Sequence, residues 1–169
     1  FIATAFAQET PIERITADGI KTSDREFEFD IVIYATGFDA LTGSFDRIDF
    51  RGAGGARLKE KWKRGPETYL GIMVHEFPNM MMLMGPHTAL GNIPRSIEYS
   101  VDWVTGLVRF AQANHLTRLE ATTAGVESWT DHVKALGVGL LSNEVNSWMT
   151  GINSNVEGKQ TRIIARYSG

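Results

Sequence analysis

The chain has 169 residues, a formal net charge of -3 and 43% hydrophobic residues, which is typical of a soluble globular protein of about one domain. It has no cysteine, and this excludes disulfides, Cys-ligated metal centres and a thiol nucleophile. The sequence has no Lys/Arg cluster, no apolar run of membrane-spanning length and no basic leader at its start. We therefore expect no nucleic-acid partner, no membrane span and a cytoplasmic location.

The first 38 residues are predicted to form strands. Residues 12–16 and 20–22 flank an Asp-Gly dipeptide, which is typical of a hairpin turn. Phe27 and Phe29 alternate with glutamates, as in a half-buried strand. Residues 31–35, Ile-Val-Ile-Tyr-Ala, are apolar on both faces and rich in β-branched side chains. This pattern predicts a strand covered on both sides, as in a parallel sheet.

Residues 39–91 are predicted to consist of strands and loops. Strands are predicted at 48–51, 69–74 and 80–84, and a short helical segment at 58–62. Glycine, proline and asparagine mark the expected turns, at Gly54-Gly55, Gly65-Pro66, Phe77-Pro78-Asn79 and Gly85-Pro86.

The last third of the chain is predicted to be mostly helical. Apolar residues recur at spacings of three and four, which predicts one helix over 94–114 and a second over 126–140. A Gly/Asn-rich loop over 142–158 and a closing strand over 162–167 are expected to follow. Interleaved strands and helices indicate an α/β or α+β fold.

Several chemistries find no support in the residues. The four histidines are scattered and lack metal-ligand spacing, so we expect no metal site and place them at the surface or the edge of the core: His75, His87, His115 and His132. No G-x-S-x-G nucleophile motif is present. Three glycines at 52–55 imitate part of a phosphate-binding loop, but Arg57 takes the place of its last glycine, so a plain turn is favoured. Alternate methionines at 80–84 favour core packing.

Small residues follow the predicted buried strand. Ala35, Thr36 and Gly37 come at its carboxyl end, which is where open α/β sheets bind ligands. Small side chains at that point let backbone N–H groups approach a phosphate or a flavin ring. From spacing alone, a strand that ends in a tight turn explains the same residues equally well.

A second predicted strand end has the same character. Gly85-Pro86 follows the strand at 80–84, and Asn92 and Ile93 then lead into the predicted long helix. Backbone N–H groups at a helix N-terminus carry partial positive charge, which suits an electron-rich ligand edge. Two strand ends that meet at one crevice would form a cofactor site.

Taken together, these motifs resemble the C-terminal part of the Baeyer–Villiger monooxygenases, which are related to the flavin-containing and N-hydroxylating monooxygenases. The resemblance covers nearly the whole chain in order and at similar spacing. It is carried by residues 35–39, 61–62, 65–71, 77–79, 85–86, 96–98, 102–104, 147–151 and 158–159.

The resemblance implies an α/β fold in which a partial FAD-binding, Rossmann-like domain of a two-dinucleotide-binding flavoprotein precedes a C-terminal helical segment. It places the last part of the FAD domain at 1–93 and a helical tail, with a cofactor-covering loop and a closing strand, at 94–169. The family's two G-x-G-x-x-G motifs, its F-x-G-x-x-x-H-x-x-x-W fingerprint and its flavin-activating arginine are not in this sequence. The resemblance therefore implies a C-terminal fragment that is inactive alone and binds FAD weakly or not at all.

For a complete enzyme, the resemblance implies that NADPH reduces FAD and that oxygen from O2 is inserted beside a ketone carbonyl, giving an ester or lactone. Cofactor-binding residues carried over by motif are Ala35, Thr36, Gly37, Phe38, Gly85, Pro86, Asn92, Ile93 and Trp148, with Trp148 on a loop that covers NADP. Substrate-binding residues carried over in the same way are Ala89, Leu90 and Gly91, and no catalytic residue is carried over. Trp148 as an ordinary core residue is the alternative interpretation.

Two other functions fit the same sequence. A non-catalytic binding or scaffold domain would lack catalytic residues and would expose apolar surface that favours self-association. An amine- or sulfide-oxygenating flavoprotein would share the Ala-Thr-Gly strand. Residues 85–92 are shorter, and residues 151–158 longer, than in some family members, so the identity of the substrate does not carry over.

Overall fold

The computed structural model describes residues 10–34, 42–88, 91–145 and 148–152. The chain divides into two compact units, residues 1–37 and 38–169.

The first unit contains a small antiparallel sheet. Its strands are β1 (Ile12–Ile15), β2 (Gly19–Thr22) and β3 (Glu26–Glu28), in the order β1-β2-β3. The predicted hairpin at the Asp-Gly dipeptide is confirmed. Gly19 is required where it pairs with β3, because a Cβ there would overlap the Phe27 carbonyl.

The predicted buried strand at 31–35 is wrong over its described part. Residues 31–34 form no strand, and Ile31 and Ile33 are 78% and 83% exposed. A strand of a parallel sheet needs hydrogen-bonded neighbours and helices over both faces, and the described residues supply neither. Its carboxyl end, from Ala35, lies outside the described residues.

The second unit is dominated by two long helices, as predicted. The helices in chain order are α1 (Gly43–Asp46), α2 (Leu58–Lys61), α3 (Ile93–Ala113), α4 (Thr123–Gly137) and α5 (Leu141–Glu144). Each long helix has a side-chain N-cap, since Asn92 Oδ1 accepts from Arg95 N at 3.2 Å and Thr122 Oγ1 from Gly125 N at 3.1 Å. The predicted helical segment at 58–62 is confirmed by α2 and a 3₁₀ turn at Trp62–Arg64.

The core between the turns and the helices has two clusters. The first contains Leu58, Trp62, Val74, Phe77 and Met82. The second contains Ile72, Met73, Ala121 and Val126, with Val104 and Leu107 of α3 packed against it. The expected core packing of the methionines is confirmed for Met82, which is 6% exposed.

Three predicted strands of the second unit are wrong. At 69–74 the backbone turns back, because Leu70 and Gly71 have φ of 57° and 68° and Tyr69 pairs with Met73. Residues 48–51 make one isolated bridge, and residues 80–84 form no strand. Apolar runs of this length suit a buried turn as well as a buried strand, so periodicity alone could not separate them.

The expected turns are confirmed by left-handed backbone at Gly54, Gly65 and Asn79. The second helix ends at Gly137, three residues before the predicted end. The predicted loop over 142–158 starts within α5 and contains a 3₁₀ turn at Trp148–Thr150. The predicted closing strand at 162–167 lies outside the described residues.

Candidate functional site

Gly85 and Pro86 form a buried corner of the second unit. Thr68, which is fully buried, holds this corner, because its Oγ1 donates to the Pro86 carbonyl at 3.3 Å and accepts from Gly71 N at 3.1 Å. A Cβ on Gly85 would overlap the Gly71 carbonyl and the Met82 side chain. The described contacts of this pair are therefore with the protein's own turns, and they fix where the chain leaves toward α3.

Gly91, Asn92 and Ile93 lie exposed at the start of α3. Asn92 has extended backbone, with φ −72° and ψ 97°, and its side chain and carbonyl accept from the amides of Arg95 and Ser96. Pro94 has no N–H group. Among the described residues, the N–H of Ile93 is thus the first-turn donor left for a ligand.

This end of α3 fits an electron-rich cofactor edge. The helix dipole adds partial positive charge to the Ile93 N–H. The guanidinium of Arg95 adds a full positive charge, and it is held by Tyr99 Oη at 3.0 Å. A flavin ring presents hydrogen-bond acceptors along one edge, so the donor set at Ile93 is of the type that FAD requires.

Of the other predicted site residues, the structure describes Trp148 alone. Ala35, Thr36, Gly37, Phe38, Ala89 and Leu90 lie outside the described residues. Trp148 begins the 3₁₀ turn that follows α5. The predicted crevice between residues 36–37 and 85–93 therefore stays a prediction.

Sequence reasoning missed two buried residues near the corner. Thr68 lies in the motif at 65–71 but was assigned no role, because its role depends on a contact 18 residues away along the chain. His87 is fully buried, with φ 67°, so the expectation that it lies at the surface or core edge is wrong. It directly follows the Gly-Pro corner, and that corner turns its side chain into the protein.

A charged network joins the turn at 75–79 to the segment between α3 and α4. Glu120 accepts from Arg118 and from Glu76 N, and these bonds hold the pKa of its carboxyl below the usual range. Lys61 Nζ lies 2.8 Å from Glu76 Oε2 and lowers the pKa of Glu76 in the same way. Both carboxylates are therefore charged at neutral pH.

A groove of about 340 Å³ lies between α3 and the turn at 69–73. None of the predicted site residues lines it. Its lining is formed by Tyr69, Met73, Trp103, Leu107, Leu119, Glu120, Ala121, Thr122 and Gly125.

Within the described ranges, neither long helix nor any short one has the length and apolar character needed to cross a membrane.

Comparison with known proteins identifies homologues of this chain. No family model matches the sequence. A phenazine N-monooxygenase, PhzNO1, of Lysobacter antibioticus is 36% identical over 95% of this chain and 30% of its own length. A Baeyer–Villiger monooxygenase of Pseudooceanicola batsensis is 34% identical over 99% of this chain and 31% of its own length.

Comparison with solved structures identifies related proteins as well. The crystal structure of OTEMO in complex with FAD and NADP matches with a TM-score of 0.83 and 37% identity, over 96% of this chain and 30% of that chain. The chain thus has the fold and sequence of part of a flavoprotein monooxygenase.

Within that class, its relatives include Baeyer–Villiger monooxygenases, and the chain is homologous to part of these proteins. It spans about 30% of the length of the curated relatives it matches. The resemblance inferred from the motifs is confirmed, and so is the expected fold class, a partial α/β flavoprotein domain with a helical segment.

Proposed function

We propose that this chain is part of an FAD- and NADPH-dependent monooxygenase that inserts one oxygen atom of O2 beside a ketone carbonyl, giving an ester or lactone. The observation that carries the proposal is the match to family members in both sequence and fold over more than nine-tenths of the chain. The chain alone is proposed to be inactive, because it spans about 30% of those proteins.

In this proposal the cofactors supply the redox chemistry and the chain supplies binding and orientation. Residues 35–38 line the FAD, and Gly85-Pro86 fixes the approach of the chain to it. The N–H of Ile93 and the charge of Arg95 face the flavin edge. Residues 89–91 border the ketone, and Trp148 lies on the loop that covers NADP.

The proposed substrate class is supported by the names of three relatives. They are cyclohexanone 1,2-monooxygenase, cyclopentanone 1,2-monooxygenase and acetone monooxygenase. The test is to supply a longer polypeptide carrying this sequence with FAD, NADPH and each of these ketones, and to identify products by mass spectrometry. The proposal expects the lactone or ester, formed in step with NADPH consumption. Bound FAD and NADPH oxidation without any oxygenated product would contradict it.

N-oxygenation is the second candidate, because one relative is a phenazine N-monooxygenase. Phenazine belongs in the same assay for this reason. An N-oxide formed with phenazine, and no ester with any ketone, would favour this candidate over ketone oxygenation.

The role of Ile93 can be tested by removing a single N–H group. Ile93→Pro deletes that group, and proline is tolerated at the first helical position, where the extended backbone of Asn92 also suits a following proline. We expect FAD binding to weaken about two- to tenfold, as for loss of one hydrogen bond. Ile93→Val keeps the N–H and is the matched control. Equal FAD affinity of the two variants would refute the role of the N–H.

Three further expectations belong to this proposal. The part at 1–93 acts as the end of the FAD domain and 94–169 as a helical tail, which the start of α3 at Ile93 supports. The protein works in the cytoplasm. This chain by itself self-associates, which is supported by the exposed side chains of Ile31, Ile33 and Phe110. Sedimentation of the purified chain tests this, and a monomer at all concentrations would contradict it.

A further inference from the structure

The segment that joins the two long helices is bonded to the turn around Asn79. We call residues 117–121 the connector, since they lie between the end of α3 at Ala113 and the N-cap of α4 at Thr122. The Phe-Pro-Asn motif at 77–79 is part of the family resemblance, and it has no role in the proposed function.

Asn79 makes three hydrogen bonds to the connector. Its backbone N–H donates to the Leu119 carbonyl at 2.8 Å, and its Oδ1 accepts from Leu119 N at 2.9 Å. Its Nδ2 donates to the Thr117 carbonyl at 3.0 Å. The oxygen and the nitrogen of the side-chain amide thus both bond to backbone groups of one segment, about 40 residues away along the chain.

The neighbouring residues extend this contact. Glu76 N donates to Glu120 Oε1 at 2.8 Å, and His75 Nδ1 donates to the Ala121 carbonyl at 3.0 Å. Hydrogen bonds therefore join the connector to the turn from Thr117 to Ala121, and those made by Asn79 lie nearest α3.

The backbone conformation explains why asparagine occupies this position. Asn79 has φ 61°, in the left-handed region that asparagine and glycine tolerate best. Glycine would keep this conformation and lose both side-chain bonds. Aspartate would keep the acceptor for Leu119 N and lose the donor to Thr117.

We propose that Asn79 is a positioning residue that sets the direction of α3 by fixing the connector to the turn. α3 packs on the second core cluster through Val104 and Leu107, which lie in its middle and second half. The C-terminal end of α3, where Ala111 is buried, leads directly into the connector, so the bonds of the connector act at that end. Through α3, Asn79 orients the exposed first turn at Asn92 and Ile93; the consequence for FAD rests on the proposed function.

Spin-label distances test this directly, because the chain has no cysteine of its own. Labels at Lys63→Cys and Glu98→Cys, both exposed, report the position of α3 relative to the turns. We expect a narrow distance distribution in the otherwise unchanged protein, a wide one in Asn79→Gly and an intermediate one in Asn79→Asp. The Leu119 amide should exchange with deuterium about tenfold faster in Asn79→Gly, as for loss of side-chain hydrogen bonds.

Asn114→Gly is the matched control, since Asn114 is exposed and its side chain bonds only within its own turn, to the Phe110 carbonyl. It should leave the distance distribution unchanged. A folded Asn79→Gly protein with the narrow distribution would overturn the proposal. If Asn79→Gly fails to fold, the test uses Asn79→Asp, and a distance distribution as narrow as that of the unchanged protein would overturn the proposal in the same way.

The consequence for FAD is measured separately in the longer polypeptide. We expect the FAD dissociation constant to rise in Asn79→Gly and to be partly restored in Asn79→Asp. Failure of the unmodified protein to bind FAD would refute the proposed function, while the spin-label distances would still decide the role of Asn79.

Discussion

Replacing Thr68 by valine should remove the bonds that hold the Gly-Pro corner without changing the volume of the side chain. Thr68 is fully buried, and its hydroxyl links Gly71 N to the Pro86 carbonyl. Valine has the same shape and no hydroxyl, so both backbone groups lose their side-chain partner in the interior. Gly71 and Pro86 are themselves buried, and water cannot replace the hydroxyl readily.

The magnitude follows from the two groups left behind. A buried polar group without its partner costs about 1–3 kcal/mol. The bond to Pro86 is long, at 3.3 Å, and contributes near the lower limit. We expect Thr68→Val to lower the free energy of unfolding by about 2–4 kcal/mol. Thr68→Ser keeps the hydroxyl and loses one methyl group, which should cost about 1 kcal/mol.

Urea unfolding followed by circular dichroism measures both variants. With a slope of about 2 kcal/mol per molar urea, the midpoint should fall by about 1–2 M for the valine variant and about 0.5 M for the serine variant. Equal midpoints for the two variants, or a lower one for serine, would show that the hydroxyl does not hold the corner.

Three further measurements test other parts of the account. The pKa of the Glu120 carboxyl is lowered from 4.5, chiefly by Arg118, so Glu120 stabilises the fold fully above its pKa in the unfolded chain and loses this effect as pH falls through its pKa in the folded protein. Between about pH 6 and pH 3, the free energy of unfolding measured by urea titration should therefore fall less in Glu120→Gln than in the unchanged protein. Equal decreases in the two proteins would contradict the role of the ion pair. Gly54 has φ 64° and Gly106 lies inside α3, and no neighbouring atom occupies the place of a Cβ at either position. In thermal unfolding, Gly54→Ala should therefore destabilise the protein and Gly106→Ala should stabilise it, each by about 1 kcal/mol. A change of the same sign at both sites would refute the argument from backbone conformation. Titration of this chain with FAD should show no sub-micromolar change in flavin fluorescence, and tight binding would contradict the proposal that the chain alone lacks the rest of the site.

Local signals in the sequence were sufficient for the hairpin and for both long helices. The Asp-Gly dipeptide marks the turn between β1 and β2 correctly, although Gly19 lies in β2 and neither residue has a positive φ. In α3 and α4 the apolar repeat coincides with capping side chains, Asn92 and Thr122, at the start of each helix. Periodicity and capping therefore agree, and the helix boundaries follow within a few residues.

Burial without periodicity misled the prediction elsewhere. Residues 69–74 read as a buried strand, and Ile72, Met73 and Val74 are buried, but left-handed backbone at Leu70 and Gly71 reverses the chain within it. Residues 31–34 have the composition of a covered strand, but Ile31, Ile33 and Tyr34 lie exposed. An apolar run predicts that a segment is buried, but it does not identify the segment that packs against it.

In the candidate site, too, the sequence predicted some residues and not others. Asn92 and Ile93 were predicted from the helix start, and the structure places them there, exposed, with the Ile93 donor available among the described residues. Thr68 and Asn79 were not predicted as functional, because their partners are 18 and about 40 residues away along the chain. Both residues lie in motifs that carry the family resemblance, but hydrogen bonds over such separations cannot be predicted from the spacing in a single sequence.

In the proposed enzyme, the first turn of α3 faces the flavin. A crystal structure of a longer polypeptide carrying this sequence, with FAD bound, measures this as the distance from Ile93 N to the nearest acceptor of the isoalloxazine ring. We expect a hydrogen bond of about 3 Å between these two atoms. A flavin bound elsewhere, with the Ile93 N–H directed into solvent or bonded to protein, would contradict it.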